Sequence, residues 1–567
     1  MRFSGRFIGM DGLGGMLRRG GFHYNETLTN QHLGHLVGKY NDPLLNLSFG
    51  GLISAKALET KDASTLVTSE PTQNLHLRVH AFTAQTATAQ EWVDRIEKQR
   101  AAVEALSLED TRQKHEAYWA DFWGRSHIFA TSGEQPVNGA FAVTRAYVLQ
   151  RWIQAGAARG AYPIKFNGSL FTVDGLNEPW IDEPDFRLWG GCYWFQNTRL
   201  AYWPMLYSGD LDQMEPLWKM YRDALPLLKE RTRTYFDHEG IFCSETIHPW
   251  GLNNNSDFGI GNKGFYPINP WIRYYWDSGN ELSMMMLDAY AQTQDETFAK
   301  TTLVPLADEV VKFYDQHYQR NEQGKVHFSP AQSLETWHVA EDPLPVVVGL
   351  RTVLSGLLDL PESITSPEQR QRWKRFRSEL PETPFGEADG KKWIEPARTY
   401  SKYSNAENPE LYAVFPYRAY GVGKPDLDVA VKTWQRRKNK DMVGWGQDAI
   451  QAAMLGLTDE AQKAIVRNAT TKHPGSRFPA FWGPNFDWIP DQDHGSVTMI
   501  AFQRMLMQCD GNAIRLLPAW PKAWDVDFKL HAPHNTTVEG RVEHGKLVDL
   551  EVTPKSRRKD VIVIEPN

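Results

Sequence analysis

The sequence predicts a multidomain chain: an all-α ring of six helical hairpins, an (α/α)6 barrel, flanked by an N-terminal β domain and a small C-terminal β domain. Three observations predict it. Apolar and polar residues alternate within the first ninety residues, apolar residues recur at helical spacing from about 138 to 508, and a period of two returns after Cys509.

In the first segment, Leu75, Leu77 and Val79 alternate with His76, Arg78 and His80, and glycine-rich turns stand at 12–21 and at Gly50-Gly51. Residues 1–90 read as a β-sandwich-like segment that we expect to be incomplete, opening inside a larger β domain. A charged helical pattern then runs from Trp92 through Ile96 to His115 and Trp119, which makes 91–137 a helical linker. Across 138–508, Met214, Leu217, Trp218, Tyr221, Leu225 and Leu228 form one stripe, with Asp210 and Gln213 as a capping box before it. Further stripes run through Leu282, Met285, Met286, Ala289 and Tyr290, through Leu303, Leu306, Ala307, Val310, Val311 and Tyr314, and through Ile450, Ala453, Met454 and Leu457. At roughly thirty residues per helix and loop, this stretch holds about twelve helices, enough for six hairpins with their long loops collected at one end. In the last domain, 509–567, Val548, Leu550 and Val552 alternate with polar residues, Gly545 sits in a turn, and Val561 to Ile564 read as a buried strand.

Composition narrows the function. The 567 residues carry 62 Lys+Arg against 69 Asp+Glu, a net charge of −7, so neither a nucleic acid nor an anionic membrane surface is expected as a partner. No apolar run reaches the roughly 18 residues that a bilayer-spanning helix needs, and the protein reads as soluble. The basic clusters Arg436 to Lys440 and Lys555 to Lys559 are short and read as solvated faces. Cys192, Cys243 and Cys509 are an odd count without CxxC spacing, so no disulfide framework, metal or cofactor is expected. Residues 1–15 hold Arg2 and Arg6 but no apolar leader core. As written, the chain is expected in the cytoplasm; with a preceding leader and the rest of the β domain it would be periplasmic or secreted. No feature sets the oligomeric state.

The aromatic content is more pointed: 21 Trp, 21 Tyr and 27 Phe. Many tryptophans stand in short polar segments. Trp189, Trp194 and Trp203 surround Gln196-Asn197, Trp250 precedes Asn253, Trp337 lies beside Glu335, and Trp482 and Trp488 precede Asp491. A flat ring covers the apolar face of a sugar while neighbouring amides and carboxylates take its hydroxyls, so an oligosaccharide or polysaccharide is the expected substrate. Nucleotide, zinc-protease and serine-nucleophile chemistry lack support. Gly259 to Gly264 fits GxGxxG without a strand before it, and there is no HExxH, GxSxG or Walker A sequence.

What remains is a set of carboxylates among aromatics and amides, and hydrolysing a glycosidic bond requires two of them, one protonated and one ionised. Two loops qualify. In 329–337, Trp337 would exclude water from Glu335 and raise its pKa, as a proton donor needs. In 481–495, Asp491 and Asp493 compete for protons, and His494 or a helix N-terminus would keep one ionised. The expected sugar contacts are Trp194, Gln196, Trp203, Trp250, Asn253, Trp337, Asp491 and His494. Lys165 and Asn167 are further candidates for the cleft, with Glu407, Glu410, Tyr412 and Arg418 in reserve.

Several segments together resemble glycoside hydrolase family 95. These are Cys192 to Pro204 (CYWFQNTRLAYWP), the Ser329-Pro330 loop, Asp493-His494-Gly495 running to Gln508, and Ile514 to Pro521 (IRLLPAWP), in that family's order, with the linker 115–126 before them. The resemblance covers roughly 110–567 and includes α-L-fucosidase and α-L-galactosidase relatives. It implies the (α/α)6 barrel, hydrolysis with inversion, and an α-linked L-fucose- or L-galactose-like substrate. It also implies that an asparagine pair helps to activate water, that an aspartate before the last barrel helix polarises it, and that a glutamate in Ser-Pro-Glu-Asn is the acid. The aspartate maps onto Asp493 and the second asparagine onto Asn197. The first asparagine position holds Phe195 and the glutamate position Ala331, with Glu335 four residues further on. With Glu335 as the acid, inversion requires the two carboxyls about 6.5–9.5 Å apart. The alternatives are a phosphorylase or lyase on the same barrel, or a non-catalytic carbohydrate-binding protein.

Overall fold

The computed structural model describes residues 2–6, 24–62, 65–132, 139–167, 170, 189–440, 445–471 and 492–565. The chain divides into two compact units, Met1–Phe122 with Asn254–Ser256, and Trp123–Asn253 with Asp257–Asn567.

The first unit carries an antiparallel sheet in which Leu47–Ser54 lies between Arg2–Arg6 and Arg78–Gln85. The helix Ala89–Glu104 packs on it through Trp92 and Ile96, which meet Leu52 and Phe82. Its start is set by Thr88, whose side chain accepts the Glu91 N–H. The expected alternation around residue 79 is present with inverted phase: Val79 faces out and His80 is buried, its Nε2 3.2 Å from Ser54 Oγ. A hydrogen-bonded histidine thus takes the inward place that hydrophobicity alone assigns to valine.

The second unit is built mainly of helices, with short sheets among them and further strands at its C-terminal end. Helix Gly139–Ala157 packs against Thr458–Thr470 and Asp493–Leu506, which also pack on Asp448–Met454. Helix Ser278–Thr293 packs against Val304–His317 and Leu344–Asp359, and the latter against Pro367–Glu379. The expected stripes are buried, including Leu303, Leu306, Ala307, Val310, Val311 and Tyr314. In the helix Glu215–Phe236, Ala224 takes the inward place expected of Leu225. Gly456, at φ +75°, turns the chain after Asp448–Met454 in a left-handed conformation that side chains disfavour.

Asp210 and Gln213 make no capping box. A three-residue-per-turn segment, Leu211–Met214, intervenes, and Asp210 instead forms a buried bidentate pair with Arg151, at 2.8 and 2.9 Å. The reciprocal capping box occurs at Ser366 and Gln369. Because removing one member of a buried pair strands the other charge, Asp210→Ala should destabilise the protein by ~3–5 kcal/mol. Urea unfolding would measure this, and a loss below ~1 kcal/mol would show the pair to be dispensable.

Two small sheets follow. Lys546–Thr553, Thr536–Glu543 and Asp525–Ala532 run antiparallel, and His127–Thr131, from the segment expected to be helical, closes the same sheet by pairing with Asp525–Ala532. Ile128 and Ala130 face inward there. Val561–Val563 is a strand, as expected, but an edge one: it pairs in parallel with Ala513–Leu516, and Ile562 and Val563 are exposed. Among the described residues, no helix is long and apolar enough to cross a membrane.

Candidate active site

The site is organised by the segment 193–203. Tyr193 and Trp194 pair with Ile247 and Thr246, which brings Glu245 beside the first turn of the helix Phe195–Tyr202. The backbone N–H of Phe195 bonds to the Glu245 carbonyl and that of Gln196 to Glu245 Oε1, both at 2.9 Å. Beneath this helix, Arg199 bridges Glu281 at 2.9 Å and Glu407 at 3.5 Å and donates to the Tyr412 hydroxyl at 2.7 Å. Gln196, Tyr412 and Gln447 also donate to Glu407. This buried network fixes the helix, and with it Asn197.

Asn197 Nδ2 donates a hydrogen bond to Asp493 Oδ2, which joins two segments 296 residues apart. Asp493 is the first residue of its helix; its Oδ1 accepts the His494 backbone N–H at 3.1 Å and lies 3.1 Å from His494 Nδ1. The turn before it is anchored by Gln492, whose N–H bonds to the Phe166 carbonyl and whose side chain accepts from Gln150. Glu335 lies between Ala331–Ser333 and Trp337–Pro343, and its Oε2 accepts from Asn405 Nδ2 at 2.7 Å. Glu335, Asp493, Asn197 and His494 are all buried.

Sequence reasoning missed Glu245. Burial, and after it the nearby charge of Glu335, push its carboxyl well above the usual range, despite the opposing hydrogen bond from Gln196. Its Oε2 is buried without a hydrogen-bond partner among the described residues. Glu335, Glu245, Asn197 and Asp493 therefore form a continuous series: Glu335 within electrostatic reach of Glu245, Glu245 bonded at Gln196, and Asn197 bonded to Asp493.

The expected sugar contacts separate into two groups. Trp194 is half-buried with its ring edge against Trp189, and its indole N–H has no acceptor among the described residues. Trp337 is half-buried beside Tyr400 and Tyr403. By contrast, Trp203 is fully buried, donating to Glu281 and packed on Phe415. The amide of Gln196 serves Glu407, and that of Asn253 serves Thr246 and Ser244. Trp250 is buried and stacks on His248, whose pKa burial pushes down to about 3, keeping it neutral. Lys165 Nζ donates to the Cys192 carbonyl and lies 4.5 Å from the Tyr193 ring centre; burial lowers its pKa to about 8. Asn167 is buried, and Arg418 is paired with Asp288, at 2.6 Å. Asp491, Trp482 and Trp488 lie outside the described residues.

A helical domain here gathers carboxyls and amides from distant loops, and its sequence matches a glycosyl hydrolase catalytic domain. The chain belongs to glycosyl hydrolase family 95: the model of that family's catalytic domain matches residues 176–513. Residues 20–128 match a domain of unknown function, DUF5703. Among curated proteins, no sequence matches the chain. A solved structure described as "Putative kojibiose phosphorylase from human microbiome" has a similar fold, with a TM-score of 0.59 and 10% identity over 89% of this chain and 74% of that one. The glycosyl hydrolase domain implies a carbohydrate substrate.

Proposed function

We propose that the protein is an inverting glycoside hydrolase that removes a terminal α-linked, L-fucose- or L-galactose-like sugar from a glycan, with its helical hairpins closed into an (α/α)6 ring. The hydrogen bond from Asn197 to Asp493 carries this reading. An amide that donates to a buried carboxylate has a more electron-rich carbonyl oxygen, which suits it to accept a proton from an attacking water. Asp493 and Asn197 then hold and activate that water, and Glu335 protonates the leaving oxygen. The Trp194 indole N–H, with Trp337 and His494, contacts the sugar.

Glu245 assists Glu335. Two carboxyls close together in a dry site resist losing the second proton, so the pair retains one at a pH where a solvated glutamate is ionised. Removing one carboxyl removes that repulsion. Glu245→Gln should therefore move the alkaline limb of the kcat/KM profile to lower pH, and an unmoved limb would exclude Glu245 from the proton-holding pair.

Aryl α-L-fucosides and α-L-galactosides, assayed with and without inorganic phosphate, test the function. The expected result is release of free sugar at a rate independent of phosphate. Phosphate-dependent formation of a sugar 1-phosphate would replace hydrolysis by phosphorolysis, and binding without turnover would mean a carbohydrate-binding protein.

A further inference from the structure

Beside Glu335 lies a cavity of which the hydrolytic scheme uses only the Trp337 ring. It has a volume of about 240 Å³ and is lined by the rings of Trp337, Trp393, Tyr400 and Tyr403 and by the turn 436–439. Tyr400 and Tyr403 are exposed, and the two tryptophans are half-buried. The turn is pinned to the segment that supports Glu335. Asn439 Nδ2 donates to the Glu407 carbonyl at 2.7 Å, Asn408 and Asn439 exchange two further bonds, and the Tyr403 hydroxyl donates to Asn439 Oδ1. Asn405, two residues after Tyr403, is the residue that donates to Glu335.

The charges lining the cavity are unequally committed. Glu395 accepts the Trp393 indole N–H and the Tyr400 hydroxyl, each at 2.5 Å. Glu407 belongs to the buried network under Asn197. Glu410 is buried, and burial, followed by Glu395 and Asp448, pushes its pKa up to about 7, so it contributes less than a full negative charge near neutrality. Arg437 pairs with Asp448 at 2.7 Å. Arg436 and Lys438 remain. Arg436 lies 3.6 Å from the centre of the Trp393 ring, and Lys438 3.3 Å from that of Tyr403 and 5.0 Å from that of Trp337; neither has a carboxylate partner among the described residues. Rings suited to stacking on a pyranose thus stand beside two cations that form no ion pair among the described residues.

We propose that this cavity is a subsite for a sugar residue bearing an anionic substituent, a carboxylate or a sulfate, next to the bond whose oxygen Glu335 protonates. The rings take the apolar face of that sugar, and Arg436 and Lys438 take its anion. The inference rests on the hydrolytic reading for the position of the cleaved bond, and it makes the substrate an acidic glycan.

Calorimetry on the full chain tests it with trigalacturonate, its neutral counterpart α-1,4-galactotriose, galactose 6-sulfate, galactose and inorganic phosphate. At low salt, trigalacturonate should bind at least ~10-fold tighter than galactotriose, and galactose 6-sulfate tighter than galactose. The preference should fall below about twofold in Arg436→Gln/Lys438→Gln, two exposed residues whose loss leaves the near-UV circular dichroism unchanged, and Trp393→Ala should weaken both trisaccharides. Equal binding of the two trisaccharides overturns the proposal, as does a preference that survives the double substitution. Inorganic phosphate binding as tightly as trigalacturonate overturns it in favour of a free-anion site. Hydrolysis of neutral aryl α-glycosides by the wild type is read separately. Turnover without an anionic preference rejects the subsite alone, whereas the preference without turnover on any glycoside rejects the hydrolase alone.

Discussion

Asp493→Asn is expected to lower kcat about 10³-fold, roughly 4 kcal/mol of transition-state stabilisation, while KM changes only a few-fold. The substitution keeps size and shape but removes the charge that, in the proposed mechanism, polarises the Asn197 amide and stabilises the proton that the attacking water gives up. That charge matters most when water becomes a nucleophile, so the loss falls on kcat rather than on binding. Asn197→Ala acts on the same proton path. The double variant should therefore be little worse than either single one, because both remove one unit across a single hydrogen bond. Steady-state kinetics with stopped binding assays on the inactive variants would check this. Additive losses would mean that the two side chains act separately.

Glu335→Gln should show the opposite dependence on substrate. With a poor leaving group, a nitrophenolate of high pKa or a second sugar, the rate should fall by about 10³, because the departing oxygen then leaves without its proton. With 2,4-dinitrophenolate, a stable anion, the loss should shrink to about tenfold or less. A slope of log kcat against leaving-group pKa that steepens in Glu335→Gln identifies the acid. An equal loss across the series assigns Glu335 to positioning and passes the acid role to Glu245, the other buried carboxyl of the pair. Measuring Glu245→Gln on the same series separates the two.

The helical stripes were legible because burial alone decides which side of a helix faces in, as the 303–314 stripe shows. The strand His127–Thr131 was not: five residues with two inward side chains leave almost no periodic signal, and the partner strand begins about four hundred residues later. Hydrophobicity also misjudged the phase at His80 and the depth of 561–563, since one is decided by a hydrogen bond and the other by which strand happens to lie at the sheet edge. In the site, Asp493 and Asn197 could be named from their local segments, whereas their contact could not. Glu245 was overlooked because Cys-Ser-Glu-Thr matches no motif. The available signal was a lone acid within the otherwise uncharged run Ile241 to Ile247, a pattern that burial makes costly unless the carboxyl is held neutral or bonded. Trp203 showed the converse: its indole N–H is taken by Glu281, far away in sequence, and the ring is part of the core.

The central claim is that water held by Asn197 and Asp493 attacks the anomeric carbon from the side opposite the acid that frees the leaving oxygen. Proton NMR of the first sugar released from an aryl α-glycoside, recorded before mutarotation, tests this most directly. The β anomer should appear first, with the α anomer growing in only as the solution equilibrates. Initial release of the α anomer would contradict the account, because it requires a covalent intermediate and a carboxylate, not water, at the position assigned to Asn197 and Asp493.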